Sequence, residues 1–444
     1  MDSLNTITDR VSLLRQRWTA AAANTDLARL FAAWLVVFVL AGLAATFVAS
    51  QYLQDGSFGS MVSYKSDDRP GRLWLQMYPQ PFGIHYFGDF LDTLRHSQVD
   101  QPFATPGMSP VGYPLFSLLV VAPFDLFGYA TAVKLFLFLT VLLLLVPLWR
   151  LLDGRTATDR LLLVAPLAVS APLLVTLDRG NLQGLVVGFA LFGMCSFLRG
   201  NRVGAGFWFA ISAAMKVYPV LLLLLLVRAR DWRALGVGVL TGLTATWISF
   251  RVYGGGIFEN SEALWDSVNR FRSESLDVLL TRNHSFKGGL ATLVVSGPGW
   301  IDGIARWGID HYDTLLGLAA LGAALLVVTP TTRLFNAVTY LMLLISFGVG
   351  VSFGYVPVFL FLVVALLYAG QAEQGRSAVV ATVALALLLA PKGFPVGGHS
   401  IPLFTYLDPA AATMIVLLLV PGDVRRLVVH LRRRVSDNSP APVA

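Results

Sequence analysis

The chain has 444 residues, of which 56% are hydrophobic and only 13% charged. A water-soluble domain has no use for so much apolar surface, and apolar runs near 20 residues recur along the whole length, the mark of membrane-spanning helices. The single cysteine, Cys195, excludes a disulfide framework and a cysteine metal site, the six histidines show no HExxH-like spacing, and the net charge of +7 sits in short loops between apolar runs, which is no sign of nucleic-acid binding.

The first apolar run begins near Leu27, behind a polar segment with Arg10, Arg15 and Arg17, and its length reads as a retained span rather than a signal peptide. Further spans are predicted near 131–149, 161–177, 181–198, 203–217, 218–227, 234–251, 313–329, 335–351, 354–369, 377–391 and 408–421. Basic residues mark alternate loops: Arg150, Arg155 and Arg160, then Arg199 and Arg202, then Arg228, Arg230 and Arg233, then Arg333, then Arg376. Placing these loops and both termini in the cytoplasm satisfies the positive-inside rule throughout. The expected organisation is a cytoplasmic N-terminus (1–27), one membrane domain (28–421) and a basic cytoplasmic tail (422–444) whose end, SDNSPAPVA, reads as disordered. Two long outer loops, 51–130 and 252–312, hold most of the remaining polar residues.

The charge pattern forces one feature. The run GAGFWFAISAAMKVYPVLLLLLLV, Gly204 to Val227, has basic loops at both ends but is only long enough to cross once. It therefore folds as a broken hairpin turning at Lys216-Val217-Tyr218-Pro219, where proline interrupts the helix and protein or a polar cavity covers the turn. One helix with an outward-snorkelling lysine is the bland alternative. The proline-rich segment 111–128 is read as interfacial or re-entrant for the same reason of parity.

Chemistry-bearing residues gather in the outer segments. In DFLDTLRH, a helical spacing puts Asp89 and Asp92 on one face with His96 near the same side. A carboxylate partly desolvated at the membrane boundary suits a general base, while a solvated helix with an Asp92–Arg95 or Asp92–His96 pair fits the same residues. In TLDRGNLQGL, Asp178, Arg179 and Asn181 occupy a turn between spans, where Asn181 can cap the next helix and Arg179 offers a fork to phosphate; a tight turn with an Asp178–Arg179 salt bridge fits equally well. Lys216 in an apolar hairpin needs a partner, either a lipid phosphate or an acid such as Asp178. In TRNHSFKGGL, Asn283, His284, Ser285 and Lys287 offer donors, or simply cap a helix. Tyr355 in SFGYVPVF, and Lys392 and His399 in PKGFPVGGHS, read mainly as loop or packing residues.

The order of these elements is informative. Asp89-Phe90, then Tyr113-Pro114 opening an apolar segment that ends in Ala122-Pro123, then RGNLQGL, AAMKVYP and NHSFKGGL, together resemble glycosyltransferase family 87 over roughly 28–370. The resemblance implies an all-α polytopic membrane protein with a GT-C-type helical bundle of about 12 membrane segments. It implies a membrane enzyme that moves one sugar, mannose or arabinofuranose, from a polyprenyl-phosphate donor to a glycan or glycolipid of the cell envelope. It puts Asp89 in the place of the family's catalytic base and Lys216 in the place that contacts donor phosphate, with Arg179 or Lys287 assisting; Tyr113 and Tyr218 belong to the same motifs. No cofactor or metal is implied, and the site faces outward from the bacterial cytoplasmic membrane. Where mannosyltransferases of the family often carry Ser-Pro-x-Ser-Trp-x-His-His, this chain reads GVSFGYVPVF, so the resemblance leaves the donor sugar open. A lipid or polysaccharide transporter is the alternative; it predicts charges deep in several spans and inverted repeats, and neither is visible.

Overall fold

A computed structural model describes residues 25–53, 87–103, 112–254, 256–273, 283–348, 350, 352–392, 395–396 and 401–437. The chain is an all-α polytopic membrane protein. Its helices are α1 (Leu27–Leu53), α2 (Gly88–Ser97), α3 (Leu115–Val121), α4 (Tyr129–Leu151), α5 (Ala157–Ala168), α6 (Ala171–Arg179), α7 (Gln183–Leu198), α8 (Arg202–Met215) and α9 (Leu224–Arg228). They continue with α10 (Trp232–Val252), α11 (Ile257–Ser273), α12 (Phe286–Ser296), α13 (Gly299–Asp310), α14 (Tyr312–Val328), α15 (Leu334–Leu343), α16 (Phe361–Tyr368), α17 (Arg376–Leu389) and α18 (Leu403–Asp437). A two-residue pairing, Pro395–Val396 with Ile401–Pro402, is the β structure among the described residues.

The helices α1, α4, α10 and α18 are each long and apolar enough to span a bilayer. Two bent pairs do so jointly, α5 with α6 at 59° and α13 with α14 at 73°. The predicted single span at 161–177 is thus broken, because Pro172 brings no backbone N–H to the first turn of α6. At the centre lie α7, most of whose residues are buried, and α16, buried from end to end. Helices apolar all round belong in such a core. By contrast α10 turns Leu240, Leu243 and Trp247 outward. The segment Leu115–Leu126, α3 plus a 3-10 turn, is 12 residues long, about 18 Å of helix against a hydrocarbon core of about 30 Å, so it cannot cross alone.

The basic loops form one connected end. Arg155 and Arg29 tie the start of α1 to the α4–α5 loop through Asp26 and Asp159. Asp153 holds both Arg160 and Arg199. Arg228 donates to the carbonyl of Val327 in the last turn of α14 and to those of Thr329 and Thr332 beyond it. Glu373 pairs with Arg333 and Arg426. Loops that alternate along the sequence therefore meet in space, as a shared membrane face requires.

At the other end the 202–228 segment reverses. Lys216 is extended (φ −154°, ψ 127°), and a 3-10 turn, Tyr218–Leu223, leads into α9. Arg202 Nη1 donates to the carbonyl of Ala229 at 3.2 Å, although a straight helix would hold those residues about 40 Å apart. The last span extends well past the expected 408–421. Helix α18 runs through the basic tail to Asp437, because buried Asp423 accepts from Asn336 and Tyr340 of α15 at 2.9 and 2.6 Å. Ser436 and Asp437, expected to begin a disordered tail, still belong to α18. The rest of that tail from Asn438, His399, and most of the expected N-terminal segment and first outer loop lie outside the described residues.

Candidate active site

The site is assembled at helix breaks. Helix α6 ends in Arg179, followed by Gly180 at φ 62°. The amides of Gly180 and Asn181 return to the carbonyls of Leu177 and Thr176, a Schellman motif that glycine permits. A Cβ on Gly180 would lie 2.8 Å from Phe90 Cβ, so α2 docks on this turn only because no side chain intervenes. The Phe87 amide donates to the Asp178 carbonyl at 3.1 Å, and Phe90 packs between Phe124 and Phe136. Asp89, 90 residues from Arg179 in sequence, is thereby delivered to it.

Arg179 grips that carboxylate with both arms, Nε to Oδ2 at 2.9 Å and Nη2 to Oδ1 at 3.0 Å. Asn181 Nδ2 donates to the same Oδ2 at 2.6 Å, while its Oδ1 accepts from the Gln183 amide at 2.9 Å and caps α7. The expected partly desolvated acid is thus a clamped one: bidentate, charge-assisted bonds fix its orientation. The guanidinium also lies 5.7 Å from the Phe353 ring centroid and 5.5 Å from that of Tyr355. Arg179 therefore holds the acid rather than offering its fork to phosphate or to Asp178.

Lys216 enters from the hairpin turn. Its Nζ donates to Gln183 Oε1 at 2.6 Å, and the Tyr218 hydroxyl donates to the same oxygen at 2.9 Å. The ammonium is surrounded by the rings of Tyr113, Tyr218 and Tyr355 at 5.0, 5.3 and 5.7 Å. The charge of Asp89 acts on Lys216, and also on Tyr113 and Tyr355. Helix α3 brings Tyr113 there, docked through the Ser117 hydroxyl on the carbonyl of Met215. One cluster thus holds an acid with its guanidinium, and a lysine caged by three tyrosines.

Other expected site residues fall elsewhere. Asp92 acts on Tyr129 at the start of α4, and His96 is buried with Nδ1 2.8 Å from the Pro102 carbonyl. Asp178 is buried and contributes its carbonyl to hold α2. Lys287 Nζ sits over the ring of Tyr312 at 5.7 Å. Asn283 and Ser285 are structural: Asn283 bonds Gly350 and the amides of Ser285 and Ser352, and Ser285 caps α12 through the Gly288 amide. Lys392, read as a loop residue, is buried in an ion pair with Asp408. Gln183, Phe353 and Asp408 went unselected. Gln183 alone carried a signal, a lone amide in the first turn of an otherwise apolar helix.

A family model described as glycosyltransferase family 87 matches residues 112–346, more than half of the chain, and takes in Tyr113, Arg179, Asn181, Gln183, Lys216 and Tyr218 while leaving Asp89 and Tyr355 outside. No curated protein and no solved structure matches the chain significantly. With the family model spanning more than half of the chain, α7 and most of the polar cluster among it, the chain belongs to glycosyltransferase family 87 and is a membrane glycosyltransferase.

Proposed function

We propose that this cluster transfers one sugar, mannose or arabinofuranose, from a polyprenyl-phosphate donor to a cell-envelope glycan or glycolipid, with inversion at the anomeric carbon. The observation that carries the reading is the meeting of Asp89 and Lys216 in one site, from segments 127 residues apart (216 minus 89). Asp89 takes the acceptor hydroxyl proton as that oxygen attacks C1. Lys216 stabilises the negative charge that grows on the departing polyprenyl phosphate. Arg179 and Asn181 hold the base in one orientation, so little ordering remains to be done in the transition state. Tyr113, Tyr218 and Tyr355 exclude water from the ammonium and offer hydroxyls and ring faces to a sugar. With the basic loops on the cytoplasmic side, this cluster faces out of the cytoplasmic membrane.

The test is transfer from labelled polyprenyl-phosphate mannose and polyprenyl-phosphate arabinose by purified protein and by Asp89→Asn. Removal of a general base lowers the rate by about 10²–10⁴-fold. Equal transfer by both proteins would remove Asp89 from the mechanism.

A further inference from the structure

A second polar cluster lies beside the first and takes no part in the chemistry above. His284 Nδ1 is 2.5 Å from Asp408 Oδ2, and the ring stacks on Phe404 with centroids 3.8 Å apart and planes within 10°. Lys392 Nζ lies 3.0 Å from the other oxygen of Asp408. Its hydrogens go to the carbonyls of Leu387, Leu388 and Ala390, so it supplies charge to Asp408 and closes the end of α17. The His284 amide donates to the Ser352 carbonyl at 2.7 Å. The imidazole is thus fixed by a carboxylate, an aromatic plane and its own backbone, three constraints that packing alone does not need.

The charges set the proton. An ionised carboxylate only accepts, so Nδ1 carries the hydrogen, and Lys392 already balances the charge of Asp408. With Nδ1 turned to Asp408, Nε2 is the ring nitrogen left to meet a ligand. Among the described residues that nitrogen has no hydrogen-bond partner, and the side chain keeps 11% of its exposure. Space beside Nε2 exists because residue 354 is glycine: a Cβ there would sit 3.2 Å from Nε2 and 3.8 Å from Val175 Cγ1. Gly354 separates Phe353 and Tyr355, the two rings on Arg179, and Val175 lies one turn before Arg179 on α6. Nε2 therefore faces the 353–355 strip, whose two rings lie over the Arg179 that holds Asp89.

We infer that His284, oriented by Asp408 and given room by Gly354, is a sugar-binding residue whose Nε2 accepts a hydroxyl of the donor sugar or of the acceptor glycan. This deepens the proposed function and rests on it for the choice of probes. A fixed acceptor beside a glycine gap fits an O–H donor and rejects phosphate, which brings only acceptor oxygens. Site and substrate then discriminate by pairing, since a sugar lacking that hydroxyl leaves Nε2 unsatisfied.

Diethyl pyrocarbonate reports on Nε2 directly, because it acylates an accessible neutral imidazole nitrogen. The experiment follows modification of the His284 peptide by mass spectrometry in full-length wild-type protein in lipid nanodiscs. The arms are no ligand, polyprenyl phosphate, polyprenyl-phosphate mannose, polyprenyl-phosphate arabinose, and methyl glycosides of both sugars as acceptor-type probes. His284 should react without ligand, and Gly354→Ala should slow that reaction. A sugar-bearing probe at about ten times its Kd should slow it about tenfold, and bare polyprenyl phosphate should not. Protection by the lipid-linked sugars alone assigns the hydroxyl to the donor, and protection by the methyl glycosides assigns it to the acceptor side. An unreactive His284 without ligand, equal protection by bare polyprenyl phosphate, or protection by no sugar probe overturns the inference. Repeating the arms with Asp89→Asn separates the two claims: unimpaired transfer refutes Asp89 as base, while the protection pattern is read independently.

Discussion

Replacing Gln183 with glutamate changes one atom of the side chain and adds a negative charge beside Lys216. In the wild type, Gln183 Oε1 accepts from Lys216 and Tyr218, while its Nε2 is buried without a partner among the described residues. A carboxylate keeps both accepted bonds and removes the orphaned N–H, whose burial costs about 1–3 kcal/mol. Folding stability should therefore hold or rise. Donor binding should move the other way. If Lys216 holds a phosphate, the new charge lies one side-chain layer from it, at about 6 Å; with an effective dielectric of about 20 the repulsion is about 2.8 kcal/mol per unit charge, or about 100-fold. The glutamate also competes for the ammonium as a permanent counter-ion. Initial rates at varied polyprenyl-phosphate sugar should show KM for the donor rising by about two orders of magnitude in Gln183→Glu, with the melting temperature in detergent unchanged or raised. An unchanged donor KM in a stable protein would refute the assignment of Lys216 to the donor phosphate. A joint loss of stability and activity would refute the reading of Gln183 as a satisfied acceptor with a spare donor.

Arg179→Lys keeps the charge but loses the two-armed grip on Asp89, and a lysine at a bidentate site is no conservative change. Transfer should fall at least about tenfold, at nearly unchanged donor KM, because the lost interaction positions the base. Gly180→Ala forces a Cβ into Phe90 at φ 62°, costing about 1–2 kcal/mol from backbone handedness alone, and should lower both the melting temperature and the transfer rate. The hairpin is tested by labelling: in a Cys195→Ser background, Arg199→Cys and Arg233→Cys should react with a membrane-impermeant maleimide from the same side of sealed vesicles. Opposite sides would mean that the 202–228 segment crosses.

The bundle was legible because lipid leaves few choices. Apolar length announces a span, and arginines announce its ends; the reversal at Lys216 followed from Arg199 and Arg228 needing one face before any contact was known. Breaks inside spans were harder to read. Pro172 and Pro166 flag the α5–α6 bend only weakly, since membrane helices tolerate proline. Among site residues, Asp89, Arg179, Asn181 and Lys216 stood out as polar groups in apolar surroundings, but their pairing did not. Arg179 reads as a phosphate fork in isolation, and only the docking of α2 on Gly180 turns it into the holder of Asp89. Lys287 and Asp92 stood out by composition alone, and their neighbours Tyr312 and Tyr129 lie at positions that no sequence pattern links to them. Asp408 looked like an ordinary residue near a predicted helix start, with its partners 124 and 16 positions away along the chain (408 minus 284 and 408 minus 392).

The polar site and the broken helices have a common cause. A continuous helix satisfies its own backbone and presents side chains alone, so it offers a sugar or a phosphate little to bind. Each interruption here frees backbone groups inside the bundle, and each is answered by a polar side chain that then becomes available for chemistry. Asn181 caps α7 after the Gly180 turn and also holds Asp89. Lys216 stands in extended backbone where α8 stops, and Gln183, from the first turn of α7, meets it. After the π turn Leu344–Gly348 that follows α15, Gly350 and Ser352 are tied to Asn283. The same strip continues into Phe353 and Tyr355 beside Arg179 and sets Gly354 against His284. Polar groups at membrane depth are expensive when unpaired, so the bonds that secure the breaks also select which side chains can sit there. Repair of the fold and construction of the site are thus one set of contacts, and substitutions that relieve a break, by lengthening α8 through Lys216 or α6 through Gly180, should gain helix and lose transfer together.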